Sequence, residues 1–252
     1  MVNTPLKTPM TTAYEQIVAD LHCHTLASTH AYSTITELAN AAAQRGLCAV
    51  ACTDHGIGLP DAPHLWHFMN LRALPPVIAG VRILHGVEAN VMDFTGRLDM
   101  PEDMLQSLDI VIASMHMGLL PAGTVEECTN AWLAVAENPL VDIIGHSGTP
   151  CYAYDFERVI PVFGEKGKIV EINENSFGAR DGSADNCRRI AQLCKQYHVR
   201  VAVNSDAHYH TAVGQTPVCL QMLREIDYPL ADIVNGSPAV FTAFLKTKGL
   251  SL

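Results

Sequence analysis

Histidines and carboxylates able to hold metal ions recur along this chain too far apart for any single helix or loop to gather them. The first group is Asp20-Leu21-His22-Cys23-His24, with His30 a short step behind. Thr53-Asp54-His55 follows, then Glu88 after Gly86-Val87, His116 after Ser114-Met115, and His146 after Gly145. The last group is Ser205-Asp206-Ala207-His208. In extended backbone, residues i and i+2 point to the same side, so His22 and His24 can grip one ion together and Asp206 and His208 can share a direction. Imidazole and carboxylate donors without thiolate suit zinc, manganese or iron, not an iron–sulfur or all-cysteine site. Ions held in this way act as Lewis acids and acidify bound water, which is hydrolytic chemistry.

Each of these groups stands at the end of a short apolar run. The runs read as strands at Ile17–Leu21, Leu47–Cys52, Arg82–Val87, Ile110–Ser114, Val141–Ile144, Lys168–Ile172 and Arg200–Asn204. They are rich in Val, Ile and Ala, which is the pattern of parallel strands buried on both faces. The sixth also carries Glu171, Asn173 and Asn175 to its end. Helical segments lie between the strands. Thr34 to Glu37 is a capping box whose helix stops at Gly46, and Thr124 to Glu127 is a second whose helix stops at Asn138-Pro139. Ser183 is expected to cap a helix that turns Ile190, Leu193, Cys194 and Tyr197 inward. Ser237-Pro238 opens a final helix. The segment from Pro60 to Pro76 is less regular and reads as a helix flanked by loops.

Alternating strands and helices predict a single-domain α/β fold. An open nucleotide-binding sheet lacks support, because no GxGxxG or Walker segment follows any strand. A distorted (β/α)7 barrel explains the placement of the polar residues, since its strand ends converge on one mouth. A lone buried histidine is ordinarily a hydrogen-bonded core residue. Seven histidines and two carboxylates, all at strand ends, would each need separate compensation for burial, and a shared metal cluster supplies it in common.

The other five histidines, His64, His67, His85, His198 and His210, read as structural or surface residues, with His210 nearest the mouth. His85 is offset by three from Glu88 and should face the other side of its strand. Asp54 could orient His55 or another ligand from behind, or cap the turn before Gly56. Arg180, after the sixth strand, could clamp a phosphate bidentately or be a solvated loop residue.

With 16 Lys and Arg against 26 Asp and Glu, the net charge is -10. The bare protein is therefore a poor partner for nucleic acid or an anionic membrane, and no stable nucleic-acid complex is expected. Bound multivalent ions would reverse that sign locally. No apolar run is long enough to span a bilayer. The eight cysteines are scattered without a CxxC pair, as expected for reduced thiols in the cytoplasm. Residues 1–15 are polar and Thr-rich, with no apolar stretch of the secretory type, and form an extension of unassigned role. The domain is expected over residues 16–252. Apolar helix faces leave room for a homo-oligomer.

The ordered series DLHCHT, TDH, GVE, SMH, GHS and SDAH resembles the PHP family of polymerase and histidinol phosphatase domains, from about residue 18 to 246. The stretch GSADNCRRIAQLCKQYHVRVAVNSDAH is similar to the small stand-alone YcdX-like phosphatase branch. The resemblance implies a PHP-type (β/α)7 barrel with a trinuclear centre of divalent ions, zinc first and manganese or iron as alternatives. It implies His22, His24, Glu88 and Asp206 as ligands of one ion. Glu88 would bridge to a second ion with His116 and His146, and a third would take His30, His55 and His208. The activity implied is a phosphatase that hydrolyses a small phosphomonoester with metal-activated water, so no protein nucleophile is needed. Nucleotide or nucleic-acid phosphodiester hydrolysis is the alternative within enzymes, and a non-catalytic metal-dependent regulatory or binding module is the alternative outside them.

Overall fold

The computed structural model describes residues 14–252, so most of the N-terminal extension, residues 1–13, lies outside the described residues. Seven parallel strands make a nearly closed barrel: β1 (Ala19–Asp20), β2 (Ala49–Cys52), β4 (Val81–Asn90), β5 (Ile110–Ser114), β6 (Ile143–Ile144), β7 (Ile169–Asn173) and β8 (Val201–Asn204), paired in that order. Each coincides with an expected strand. The sequence reading missed β3 (Val77–Ile78), which pairs antiparallel with the start of β4. Its tight turn uses Ala79 at φ 52° and Gly80 at φ 80°, a left-handed pair that suits a two-residue hairpin. Alanine in that conformation hides the turn from a sequence reading.

The two outermost strands do not form a continuous ladder. They meet at the mouth through a parallel bridge between Cys23 and Ala207. Deeper in, the gap is filled by Asn235, which is fully buried. Its Nδ2 donates to Ala19 O at 2.8 Å and to Val203 O at 2.6 Å, and its Oδ1 accepts from Val203 N at 3.0 Å. Its carbonyl accepts from Val18 N at 2.9 Å. One asparagine thus supplies the main-chain partners that a missing stretch of ladder would have supplied.

Strand alternation divides the apolar residues into two layers. Ala49, Ala51, Leu84, Ile110, Ile112, Ile143 and Ala202 fill the barrel interior, together with Phe241, Phe244 and Leu245. Val50, Cys52, Ile83, Val111, Val170 and Val203 face outward onto the helices. Those helices are α1 (Ile35–Gln44), α2 (Leu65–Asn70), α3 (Glu102–Gln106), α4 (Val125–Glu137), α5 (Phe156–Glu165), α6 (Ser176–Ala179), α7 (Ser183–Gln196), α8 (Pro217–Glu225) and α9 (Pro238–Thr247). Because α9 packs against interior residues at the strand starts, it covers the barrel end opposite the mouth.

Both capping boxes form as expected, Thr34 with Glu37 and Thr124 with Glu127. Ser237 caps α9, with Pro238 at its first position. Two expectations for α7 need correction. Its cap is Gly182 at φ 82°, with Ser183 already inside the helix, and Tyr197 is a terminal residue, 39% exposed, that is not buried in the core. Helix α5 was not foreseen because Pro161 lies inside it, although Asp155 caps it in the ordinary way. Among the described residues no helix is long and apolar enough to cross a membrane.

Candidate metal centre

The strand ends bring all nine expected residues to one mouth. The segment after β1 supplies His22 and His24, and His24 N is anchored on Ala207 O at 2.9 Å. His55 follows β2 and bridges to Glu88, which lies within β4. His116, His146, Asp206 and His208 follow β5, β6 and β8. Two of these residues take a left-handed backbone that L side chains avoid, His146 at φ 25° and Asp206 at φ 56°. Such strain at a mouth is tolerated only where neighbouring bonds hold it in place.

Three groupings are visible in the distances. His22 Nε2 stands 3.1 Å from His24 Nε2, and Asp206 Oδ1 lies 3.6 and 3.2 Å from the two nitrogens respectively. Glu88 Oε1 lies 3.4 Å from His22 Nε2. The same oxygen is 2.9 Å from His146 Nε2 and 3.3 Å from His116 Nε2, and those two nitrogens are 3.3 Å apart. His30 Nε2 faces both His55 Nε2 at 3.2 Å and His208 Nε2 at 3.0 Å. Most of these side chains are buried, while His30 is about half exposed at the rim.

The far nitrogen of most rings has its own partner, which fixes the nitrogen left for the centre. His22 Nδ1 lies 2.7 Å from Glu171 Oε1, His116 Nδ1 2.7 Å from Asn90 Oδ1, and His208 Nδ1 3.0 Å from the Asp206 carbonyl. His30 Nδ1 pairs with Asp61. Of the partner side chains, Glu171, Asn90 and Asp61, the sequence pointed only to Glu171, without a role. Asn90 was missed because β4 runs three residues further than expected. Its i+2 relation to Glu88 was the available signal, as Asn173 is to Glu171.

Burial alone would raise Glu88, but the opposing fields of His116, His22 and His55 hold its carboxyl well below the usual range. Burial would likewise raise Asp206, yet His22 and His24 keep it well below. Burial works against a charged His22, but Glu171, Glu88 and Asp206 together raise its pKa well above the ordinary value. His24 is lowered to about 3 by burial and the nearby His55, and His146 to about 4 by burial and Arg180.

Residues 20–175, more than half of the chain, match the PHP domain. The chain belongs to the PHP family. It is 44% identical to a probable phosphatase of Acetivibrio thermocellus, covering 92% of this chain and 97% of that protein. A probable phosphatase of Clostridium novyi is 45% identical over 92% of this chain and 96% of its own length. The fold is similar to that of a histidinol phosphate phosphatase from Lactococcus lactis, solved with zinc, L-histidinol and phosphate. The two superpose with a TM-score of 0.56 at 15% identity, covering 92% of this chain and 94% of that one.

The donor set fits the divalent ions that this PHP chain would hold. Two nitrogens on one tetrahedral zinc, each about 2.0–2.1 Å from it, stand about 3.4 Å apart. The facing imidazole pairs lie near that separation. A single proton between rings cannot substitute for an ion, because His30 Nε2 faces two nitrogens at once. His24 Nδ1, His55 Nδ1 and Glu88 Oε2 are buried without a hydrogen bond. His55 Nδ1 and Glu88 Oε2 are only 2.7 Å apart, but off the hydrogen-bonding direction. Orphaned donors and acceptors at that distance are costly unless a cation joins them.

A cleft of about 330 Å³ opens above this floor. Its walls include Leu59, Met115, Met117 and Tyr152, and one guanidinium enters it, that of Arg180. Arg180 is not a free loop arginine. Its Nη1 donates to Ser176 Oγ at 3.2 Å and its Nη2 lies 3.4 Å from Asp206 Oδ2.

Asp54 supports neighbouring ligands, and it neither holds the His55 ring nor caps the turn before Gly56. Its carboxylate accepts from Thr25 N and Oγ1 at 2.7 Å each and from Ser28 Oγ at 2.8 Å, and it lies 3.1 Å from His67 Nε2. It therefore steadies the loop between His24 and His30 and does not hold the His55 ring. His64 caps α2 through Nδ1 and His210 pairs with Ser33, while half-buried His85 lines a separate pocket with Arg72 and Asp103, away from the mouth.

Proposed function

We propose that the chain is a metal-dependent phosphatase hydrolysing a small phosphomonoester at a centre of three divalent ions, zinc first among the candidates. The observation that carries this reading is the set of facing imidazole nitrogens, with orphaned imidazole and carboxylate atoms beside them, beneath a cleft with a single guanidinium. His22, His24, Glu88 and Asp206 would hold one ion, Glu88, His116 and His146 a second, and His30, His55 and His208 a third. Bound divalent ions supply charge to neutralise phosphoryl oxygens and acidify the attacking water.

The chain's own residues do the rest. Glu88 keeps two of the groupings within one carboxylate's reach. Arg180 presents its guanidinium to a phosphate over Asp206, where a fork of N–H donors can orient two oxygens at once. The cleft volume suits a compact substrate over a polymer. The catalytic domain is taken as residues 16–252, and eight free thiols are compatible with a reducing compartment such as the cytoplasm.

The test is elemental analysis of the purified protein, coupled to hydrolysis of an aryl phosphate by the wild type and by Glu88→Ala. About three ions per chain, with hydrolysis lost in the variant, is the expected result on the trinuclear arithmetic. Hydrolysis of diesters in preference to monoesters would replace the phosphatase by a phosphodiesterase. Metal without hydrolysis of either would favour a binding module, and hydrolysis undiminished by complete metal removal would refute the reading.

A further inference from the structure

Glu171 is a buried carboxylate in the middle of β7 that none of the three groupings includes. Its Oε1 accepts from His22 Nδ1 at 2.7 Å and from Asn204 Nδ2 at 2.9 Å. Its Oε2 accepts from the backbone N–H of His146 at 2.8 Å and from Asn173 Nδ2 at 3.1 Å. Four donors converge on two oxygens, which is a full complement for a carboxylate with no solvent access. The two histidines it holds belong to different groupings, and both present Nε2 to the same oxygen of Glu88.

We infer that Glu171 is a positioning residue that sets two ligand histidines at once, selecting the Nδ1–H form of the His22 ring and pinning the left-handed backbone of His146. This rests on the metal-dependent reading above. The side chain acts on His22 through the ring, because a carboxylate can only accept, so Nδ1 must carry the hydrogen and Nε2 keeps its lone pair for an ion. It acts on His146 through the main chain, because the bond to Oε2 holds the N–H of a residue at φ 25°, a conformation unfavourable without external support. One carboxylate therefore fixes the spacing between the two groupings that Glu88 joins.

Glu171→Gln separates this role from simple packing. The amide has the same shape but brings two donors to a place where every neighbour already donates. The strain is relieved if His22 turns to the Nε2–H form and accepts from the amide, which removes its lone pair from the centre. The experiment is zinc titration of chelator-stripped wild type and Glu171→Gln against a competing chromophoric chelator. Nitrogen-15 spectra of the histidine rings in the zinc-loaded proteins accompany the titration.

The expected result is a drop of about ten- to a hundredfold in zinc affinity for the sites containing His22 and His146, as for other outer partners of ligand histidines. The site of His30, His55 and His208 should keep its affinity. In the wild type the His22 ring should carry its proton on Nδ1. An unchanged zinc affinity in Glu171→Gln, or a wild-type His22 protonated on Nε2, would overturn the inference and leave the phosphatase reading standing. The ring spectrum needs only the wild type, so a variant that does not fold leaves the test intact. A wild type that takes up no zinc would refute the phosphatase reading and this inference together.

Discussion

Arg180 Nη2 lies 3.4 Å from Asp206 Oδ2, so the one guanidinium of the cleft leans on a carboxylate proposed to hold metal. The contact keeps the arginine at the mouth while its remaining N–H groups can reach a ligand. Arg180→Ala should lower kcat/KM for a phosphomonoester by about ten- to a hundredfold, the worth of one or two hydrogen bonds to a charged group. Arg180→Lys should recover only part of this, because an ammonium lacks the fork. Steady-state kinetics on both variants, with metal content measured alongside, would check it, and equal activity in all three proteins would remove Arg180 from substrate binding.

Metal removal should destabilise the fold as well as silence it. A ligand at a thousand times its Kd stabilises by about 4 kcal/mol per site, and in a chain of this size each kcal/mol is worth about 2–4 °C in Tm. Stripping the protein with a chelator should therefore lower Tm by about 8 °C or more, with recovery on adding zinc. A melting curve indifferent to chelator would contradict a metal held among His22, Glu88 and Asp206.

The metal-free protein should show an unusual pH dependence. The raised pKa of His22 contributes stability that is full below its unfolded value of about 6.5 and is lost as pH rises through the folded value. Glu88 and Asp206, held low, contribute stability that is present above about pH 4 and is lost as pH falls through their folded values. Stripped protein should weaken at both ends of the scale. Zinc-loaded protein should lose the alkaline decline, because an ion replaces the proton on His22. His24 and His146, at about 3 and about 4, are neutral already and release no proton when zinc binds. Thermal melts from about pH 2 to 10 with and without zinc separate these cases.

Much of this was legible in the sequence, for a physical reason. A parallel strand buried on both faces must be apolar, so any imidazole or carboxylate that ends one stands out, and all nine did. The partners that orient the rings were less visible. Asp61 sits in a loop whose path depends on tertiary contacts, and Asn90 lies beyond the apolar part of β4. Arg180 could not be assigned because its partner, Asp206, is 26 residues away and meets it only after folding. Asn235 gave no signal, since an asparagine after Val234 reads as an ordinary turn residue.

That asparagine supports a fourth prediction. Asn235→Ala would leave Ala19 O, Val203 O and Val203 N unpaired inside the protein, at about 1–3 kcal/mol for each group left unsatisfied. The loss should reach several kcal/mol, measured by urea denaturation of zinc-loaded protein. A cost below about 1 kcal/mol would mean that water takes over the seam without difficulty.

The spread of the nine residues along the chain also orders events during synthesis. A growing polypeptide has emitted Glu88, His116 and His146 well before Asp206 and His208, whereas His22 and His24, emitted earlier still, wait for Asp206, and His30 and His55 wait for His208. Closure of the barrel waits longer still, for Asn235, which follows the last of the nine residues along the chain. Until Asp206 and His208 have emerged, then, the chain can assemble at most one of the three proposed ion pockets. Full loading would begin only once β8 and the segment behind it are free to fold.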